Sequence, residues 1–251
     1  MDFPFGEVLL PFSRAVDMEA NFTDEVELAY SIVWSGDELK TFHPRTIVVA
    51  FGRDADAFMK TYTNTSAMVE ICKMNIFRKF VSDETQPSKK PCSTITFYKP
   101  GSSKALLCCV PSLIDENLSV EVVEQLFNRL SHPPQLVYTL SSAPSQQYRS
   151  FLGESLKEDD CFLRYLATSH FHKEQLSVLQ NDCRPLIGNM ISHLPAAVIT
   201  YCEMHSIAAV AFVAYKPSSF ETVDSVRSFV ALKRLSPLKP FLDHVRVCSF
   251  L

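Results

Sequence analysis

The chain has 251 residues, of which 47% are hydrophobic, and carries a formal net charge of −4. This size allows one substantial core, and a composition with 21% charged residues and only 6 glycines excludes a low-complexity or disordered chain. Because nucleic-acid-binding proteins normally carry a basic excess, the negative charge argues against a nucleic-acid partner.

The first 25 residues predict an extended N-terminal arm, since Pro4, Gly6 and Pro11 interrupt any regular element. The arm has an acid at position 2 and lacks the basic start and long apolar segment of a secretory signal. We therefore expect a cytoplasmic protein, with the nucleus and the surface of the endoplasmic reticulum as further locations. We predict no membrane span, because a spanning helix needs roughly 20 apolar residues and the apolar run at residues 207–215 is far shorter.

The next segments indicate the start of an α/β domain. Residues 25–34 alternate loosely and could form an outer strand, whereas residues 46–51 (TIVVAF) predict a short buried strand. Gly52 follows, and a helix is expected to start near Asp54. A strand, a glycine and a helix in this order commonly open a doubly wound sheet.

The middle of the chain alternates between predicted strands and helices. Residues 93–98 and 105–110 predict two strands of a hairpin that turns at Pro100 and Gly101. A helix capped by Ser119 is expected to run to about residue 130. Its inward face comprises Val122, Val123, Leu126, Phe127 and Leu130. The next strand is predicted at residues 135–140, followed by a polar loop at residues 141–150.

The last third contains the best-defined pair of elements. Leu194, Ala197, Val198, Tyr201 and Cys202 have helical spacing. The apolar run 207–215 then predicts a strand that is buried on both faces. A short amphipathic element is expected at residues 162–166, a helix near residues 223–230 and a helical turn at residues 238–245.

These elements together predict a three-layer αβα sandwich with a largely parallel central sheet. A single domain is expected at residues 26–245, with a flexible C-terminal tail at residues 246–251.

Candidate sites for chemistry are weak. The turn at Gly52 lacks the other two glycines of a dinucleotide-binding fingerprint, and the aspartates that follow would repel an anion. His170 and His172 could lie on one face of a strand, but no third ligand has a suitable spacing, so no metal site is predicted. No G-x-S-x-G pattern indicates a serine nucleophile.

The eight cysteines contain no C-x-x-C pair and are interpreted as free thiols, most of them buried. Cys202 and His205 are spaced as a possible Cys–His pair on one helix. A reactive thiolate must be partly exposed, whereas Cys202 shares a face with Val198 and Tyr201, so core packing is the better interpretation.

Several segments resemble the proteasome assembly chaperone family. The most specific is Leu-Pro-Ala-Ala-Val at residues 194–198 followed by Tyr201 and Cys202. Further matching segments are residues 5–8, 47–52, 162–164 and 183–186. The resemblance implies a phosphorylase-like α/β fold and a non-catalytic chaperone without a cofactor. It also implies a heterodimer with a second, related assembly chaperone, which binds proteasome α-subunits and promotes assembly of the α-ring of the 20S core particle.

The family's C-terminal tail ends in a hydrophobic residue, a tyrosine and any residue, and docks between α-subunits. Here the partner-binding positions are Ser249, Phe250 and Leu251. Phe250 keeps the ring and Leu251 supplies the carboxylate, but Ser249 is polar and the phenol hydroxyl is missing, so docking is expected to be weaker. The alternative function is a phosphorylase-type or hydrolase-type enzyme, with a polar pocket near Gly52 or Ser141.

Overall fold

The computed structural model describes residues 28–62, 68–80, 90–101, 103–111, 114–150, 161–179, 182–217 and 222–235. The N-terminal arm, the helical turn at residues 238–245 and the C-terminal tail lie outside these ranges, so these three remain predictions. The proposed limits of the single domain are likewise untested.

Nine strands of the described residues form one sheet. They are β1 (Leu28–Ser35), β2 (Thr46–Phe51), β3 (Met68–Phe80), β4 (Ser93–Pro100), β5 (Ala105–Val110), β6 (Leu136–Pro144), β7 (Phe162–Ala167), β8 (Cys183–Pro185) and β9 (Ala208–Lys216). Their order across the sheet is β1-β3-β4-β5-β2-β6-β9-β7-β8.

The centre of the sheet is parallel, as predicted. Strand β2 pairs in parallel with β5 and β6, and β6 pairs in parallel with β9. Antiparallel strands extend this centre on both sides: β4, β3 and β1 on one side, and β7 on the other. The short β8 then pairs in parallel with β7. The predicted α/β class is confirmed, and the whole sheet is mixed.

Helices cover both faces of the sheet. The described helices are α1 (Glu38–Thr41), α2 (Gly52–Tyr62), α3 (Glu116–Asn128), α4 (His193–Met204) and α5 (Thr222–Phe229). Helices α3 and α4 pack into the hydrophobic cluster on one face, and α2 and α5 contribute to the cluster on the other. This arrangement is the three-layer sandwich expected from the alternation of elements.

Strands β2, β5 and β9 are almost entirely apolar because both of their faces are covered. In β2, Ile47 and Val49 join the α3/α4 face, whereas Val48 and Ala50 join the α2/α5 face. Strand β9 alternates in the same way, and every residue from Ala209 to Tyr215 is buried.

Three local predictions were wrong. Helix α3 begins earlier than expected: its cap is Asp115, which accepts a hydrogen bond from the backbone N–H of Asn117 at 3.1 Å. Ser119 is buried inside the helix and donates to the Asp115 carbonyl oxygen at 3.2 Å. The loop expected at residues 141–150 begins later, because β6 continues to Pro144.

Two further differences concern strands. The element at residues 162–166 is strand β7, which pairs with β9 along its full length. Strand β3 was not predicted, although Cys72, Met74 and Ile76 are buried in alternation with half-exposed neighbours. It joins β1 to β4 and thereby builds one flank of the sheet.

Candidate interaction surface

Helices α3 and α4 lie side by side on one face of the sheet. The predicted inward residues of α3 are all buried, as are Leu194, Val198 and Cys202 of α4. Pro195 occupies the first turn of α4, where a missing N–H removes no helical hydrogen bond. The predicted inner face of α3 is therefore confirmed, and that of α4 is confirmed for these three residues. Ala197 and Tyr201, which were predicted on the same face of α4, are half-buried and line the outer surface.

A groove of about 430 Å³ lies between the outer sides of these two helices. Its lining residues are Glu116, Ser119, Val120, Val123, Glu124, His193, Ala196, Ala197, Thr200, Tyr201, Met204 and His205. All of them belong to α3, α4 or the residue that directly follows α4. The groove is therefore a feature of this helix pair alone.

Tyr201 holds a fixed position in the groove because rings stack on both of its sides. Its ring centroid is 4.4 Å from that of Phe127 and 4.1 Å from that of His205. Burial raises the pKa of the Tyr201 phenol, and the nearby Cys202 and Glu124 raise it further. The neutral phenol thus presents a rigid ring with a polar tip, a combination that is common at interfaces.

Two large apolar side chains beside the groove are exposed to solvent. Met204 is 77% exposed and Val120 is 58% exposed. Neither residue was predicted, because helical spacing indicates only which face of a helix points inward. Both are apolar residues outside the buried stripe of an amphipathic helix, and this is the signal that could have identified them.

At the carboxyl end of the parallel strands, the described polar side chains are engaged in contacts within the protein. Asp54 is 4% exposed, and its carboxylate accepts a hydrogen bond from the Ser142 hydroxyl at 2.6 Å. The Lys216 ammonium is 2.9 Å from the same carboxylate oxygen. The Ser141 hydroxyl donates to the Phe212 carbonyl oxygen at 3.4 Å. These polar groups are therefore bound to one another.

Arg164 occupies the neighbouring space at this end of the sheet. Its guanidinium lies 4.5 Å from the centroid of the Phe162 ring and 5.1 Å from that of Tyr148. It also donates to the Tyr148 hydroxyl at 3.1 Å and to the Leu163 carbonyl oxygen at 3.0 Å. A buried arginine that is stacked and hydrogen-bonded in this way stabilises a core.

The sequence candidates for chemistry do not form a site. Cys202 is fully buried, and burial raises its pKa to about 12, so the thiol is not an activated nucleophile. His170 and His172 lie in the turn after β7 rather than on a strand, and the ring between them, Phe171, is buried. The described residues contain no cluster of three potential metal ligands.

Seven of the eight cysteines are described, and no disulfide joins any two of these seven. Five of them (Cys72, Cys108, Cys109, Cys183 and Cys202) are buried. The predicted partner-binding tail, Ser249, Phe250 and Leu251, lies outside the described residues. No described helix has the length and apolarity needed to cross a bilayer.

Comparisons with known proteins agree with the resemblance seen in the sequence. The family model described as Proteasome assembly chaperone 4 matches residues 23–236. Proteasome assembly chaperone 1 of Xenopus tropicalis is 27% identical over 267 residues, which cover 93% of this chain and 90% of the relative.

Solved structures support the fold. A protein with unknown function from Thermoplasma acidophilum matches with a TM-score of 0.58 and 11% identity, covering 80% of this chain and 81% of the other. Pyrococcus furiosus PbaA, described as an archaeal homolog of proteasome-assembly chaperone, matches with a TM-score of 0.51 and 12% identity, covering 85% and 86%.

The class that these matches define is that of assembly chaperones, which are not enzymes. Because the family model matches well over half of this chain, the chain belongs to the proteasome assembly chaperone family.

Proposed function

We propose that this protein is a non-catalytic chaperone that acts in assembly of the 20S proteasome. In this proposal it forms a heterodimer with a second assembly chaperone, and the pair binds proteasome α-subunits and promotes formation of the α-ring. The proposed location is the cytoplasm, with the nucleus and the surface of the endoplasmic reticulum as further places to examine. The match of the family model over residues 23–236 carries this proposal.

The structure supports a binding role in two ways. The groove between α3 and α4 has exposed apolar side chains at its border, as a protein-binding surface commonly does. The polar residues at the carboxyl end of the central strands are occupied with each other, in contrast to the convergent polar groups of a small-molecule site.

Co-expression with the second assembly chaperone tests the proposal directly. We expect the two chains to elute together in size-exclusion chromatography at the mass of a one-to-one heterodimer, and the purified pair to retain α-subunits in a pull-down. The control is this chain expressed alone, which should retain less. A monomer that binds neither the second chaperone nor the α-subunits would contradict the proposed function.

The tail gives a separate prediction. Deleting residues 249–251 from the heterodimer should weaken α-subunit binding about tenfold, because the Phe250 ring is lost and the terminal carboxylate moves three residues back, to Cys248. Phe250→Tyr should strengthen binding about fivefold, since a phenol hydroxyl adds a hydrogen bond worth roughly 1 kcal/mol. Titration of α-subunits by biolayer interferometry measures both changes. Equal affinity for the full and the shortened chain would exclude docking through the tail.

A further inference from the structure

We propose that the groove between α3 and α4 receives an amphipathic helix of the second assembly chaperone, with an apolar stripe flanked by lysine or arginine. This inference rests on the proposed function and assigns the heterodimer contact to one surface. An apolar groove between two helices suits a helix that inserts side chains at i, i+3, i+4 and i+7. Met204 adapts to many partner shapes because its side chain is unbranched and polarizable.

The charge of the two helices defines the flanks of the incoming helix. Helix α3 contains Glu116, Glu121 and Glu124, helix α4 contains Glu203, and neither helix contains a lysine or an arginine. Glu121 and Glu124 are exposed and pair with no cation among the described residues. Glu116 and Glu124 line the groove, whereas the Glu203 carboxylate accepts hydrogen bonds from Ser169. A partner with basic flanks would therefore meet an acidic rim on the α3 side, and such complementarity speeds association and selects the partner.

The arginine that directly follows α3 makes its contacts outside the groove, whereas Nδ1 of His193 lies 3.4 Å from Oε1 of Glu116 within it. Arg129 follows α3 directly, but its guanidinium pairs with Asp37 and donates to the Gly36 carbonyl oxygen at 2.9 Å. It also lies 4.7 Å from the centroid of the Trp34 ring. These contacts direct the positive charge toward β1 and away from the groove.

The chain's own ends are poorer occupants. Residues 1–27 carry seven acidic residues and one arginine, so the acidic rim would repel them. The segment from residue 236 onward follows Leu235, which is buried in the cluster on the α2/α5 face. Leu235, the last described residue, therefore lies on the opposite side of the sheet from the groove. A separate chain with basic flanks would not be repelled by the acidic rim and could approach the groove from solvent.

Two sets of variants test the inference in the co-expressed heterodimer. Val120→Glu with Met204→Glu places two carboxylates at the apolar border, and should weaken pairing by about 30-fold or more, the range of interface hot spots. Glu121→Lys with Glu124→Lys should weaken pairing about tenfold at low salt and less at high salt, because the effect is electrostatic.

Matched controls separate the groove from other exposed apolar positions. Val33→Glu with Val69→Glu changes two residues that are 50% and 58% exposed on the β1/β3 side of the sheet. These controls should pair like the wild type, and circular dichroism melting should show that every variant is folded. Sedimentation velocity measures the dissociation constant of each pair.

The outcomes separate the two levels of the proposal. If the wild-type chains do not pair at all, the proposed heterodimer is wrong, and the groove assignment fails with it. If they pair and the groove variants pair equally well, only the groove assignment is overturned. If the groove variants lose pairing while the Val33 and Val69 controls keep it, the assignment is supported.

Discussion

Replacing Phe212 by alanine is expected to lower the free energy of unfolding by about 3–5 kcal/mol. Phe212 is fully buried in the middle of β9, and its ring stacks on Tyr138 at a centroid distance of 6.0 Å. Truncation removes the buried ring and leaves a cavity that strands paired on both sides cannot close. Urea denaturation followed by circular dichroism measures the change. The loss would be a large part of the 5–15 kcal/mol that is typical of whole domains.

The matched control is Val69→Ala on β3. Val69 is 58% exposed, so its truncation should change the free energy of unfolding by less than about 0.5 kcal/mol. Similar losses for Phe212→Ala and Val69→Ala would show that the α2/α5 face of the sheet is not packed as described.

Asp54→Ala is expected to cost about 2–4 kcal/mol, because it removes one partner of a largely buried ion pair. The Asp54 side chain is 6% exposed and that of Lys216 is 22% exposed. Without the carboxylate, the Lys216 ammonium and the Ser142 hydroxyl both lose an acceptor. Asp54→Asn should cost less, since an amide oxygen can still accept from Ser142. Urea denaturation at constant pH compares the two variants.

Glu70→Ala is the control for this ion pair. Glu70 lies 2.8 Å from Lys73, but these side chains are 46% and 41% exposed. Solvent screens such exposed pairs, so they contribute little to stability. The interpretation of Asp54 would be refuted if its replacement by alanine destabilised the protein no more than Glu70→Ala does.

The central elements could be predicted from local sequence. Strands β2, β5 and β9 are uninterrupted apolar runs, and a strand covered on both faces requires this pattern. Helix α4 and the inner face of α3 follow from helical spacing, and the hairpin of β4 and β5 from the turn residues Pro100 and Gly101. The elements that contribute most residues to the core were the ones with the clearest apolar runs or helical spacing.

The flanks and the polar contacts could not be predicted in the same way. Strand β3 alternates Cys72, Met74 and Ile76 with Lys73 and Asn75. This period of two indicates a strand, but less strongly than an uninterrupted apolar run does. Asp54 was interpreted as part of a helix start, since nothing local indicates that Ser142 and Lys216 would reach its carboxylate.

The candidate surface could not be predicted from the sequence for a related reason. Val120 and Met204 lie 84 positions apart, and only the packing of α3 against α4 brings them to one groove. Periodicity distinguishes the inner side of a helix from its outer side, but it does not identify which outer sides adjoin. The partner-binding role of the tail residues Ser249, Phe250 and Leu251 was inferred from family resemblance alone and remains a prediction.

The position of β9 in the sheet has a consequence for synthesis of the chain. Strand β6 pairs with β2 on one edge, and both can form early, but its other edge awaits β9, whose Lys216 pairs with Pro144. At roughly 5–20 residues per second, a ribosome needs on the order of ten seconds to make the intervening chain. During that interval the nascent protein presents an apolar, unpaired strand edge, which is a site of aggregation. A protein of a chaperone family would thus be vulnerable to misassembly itself until β9 is made.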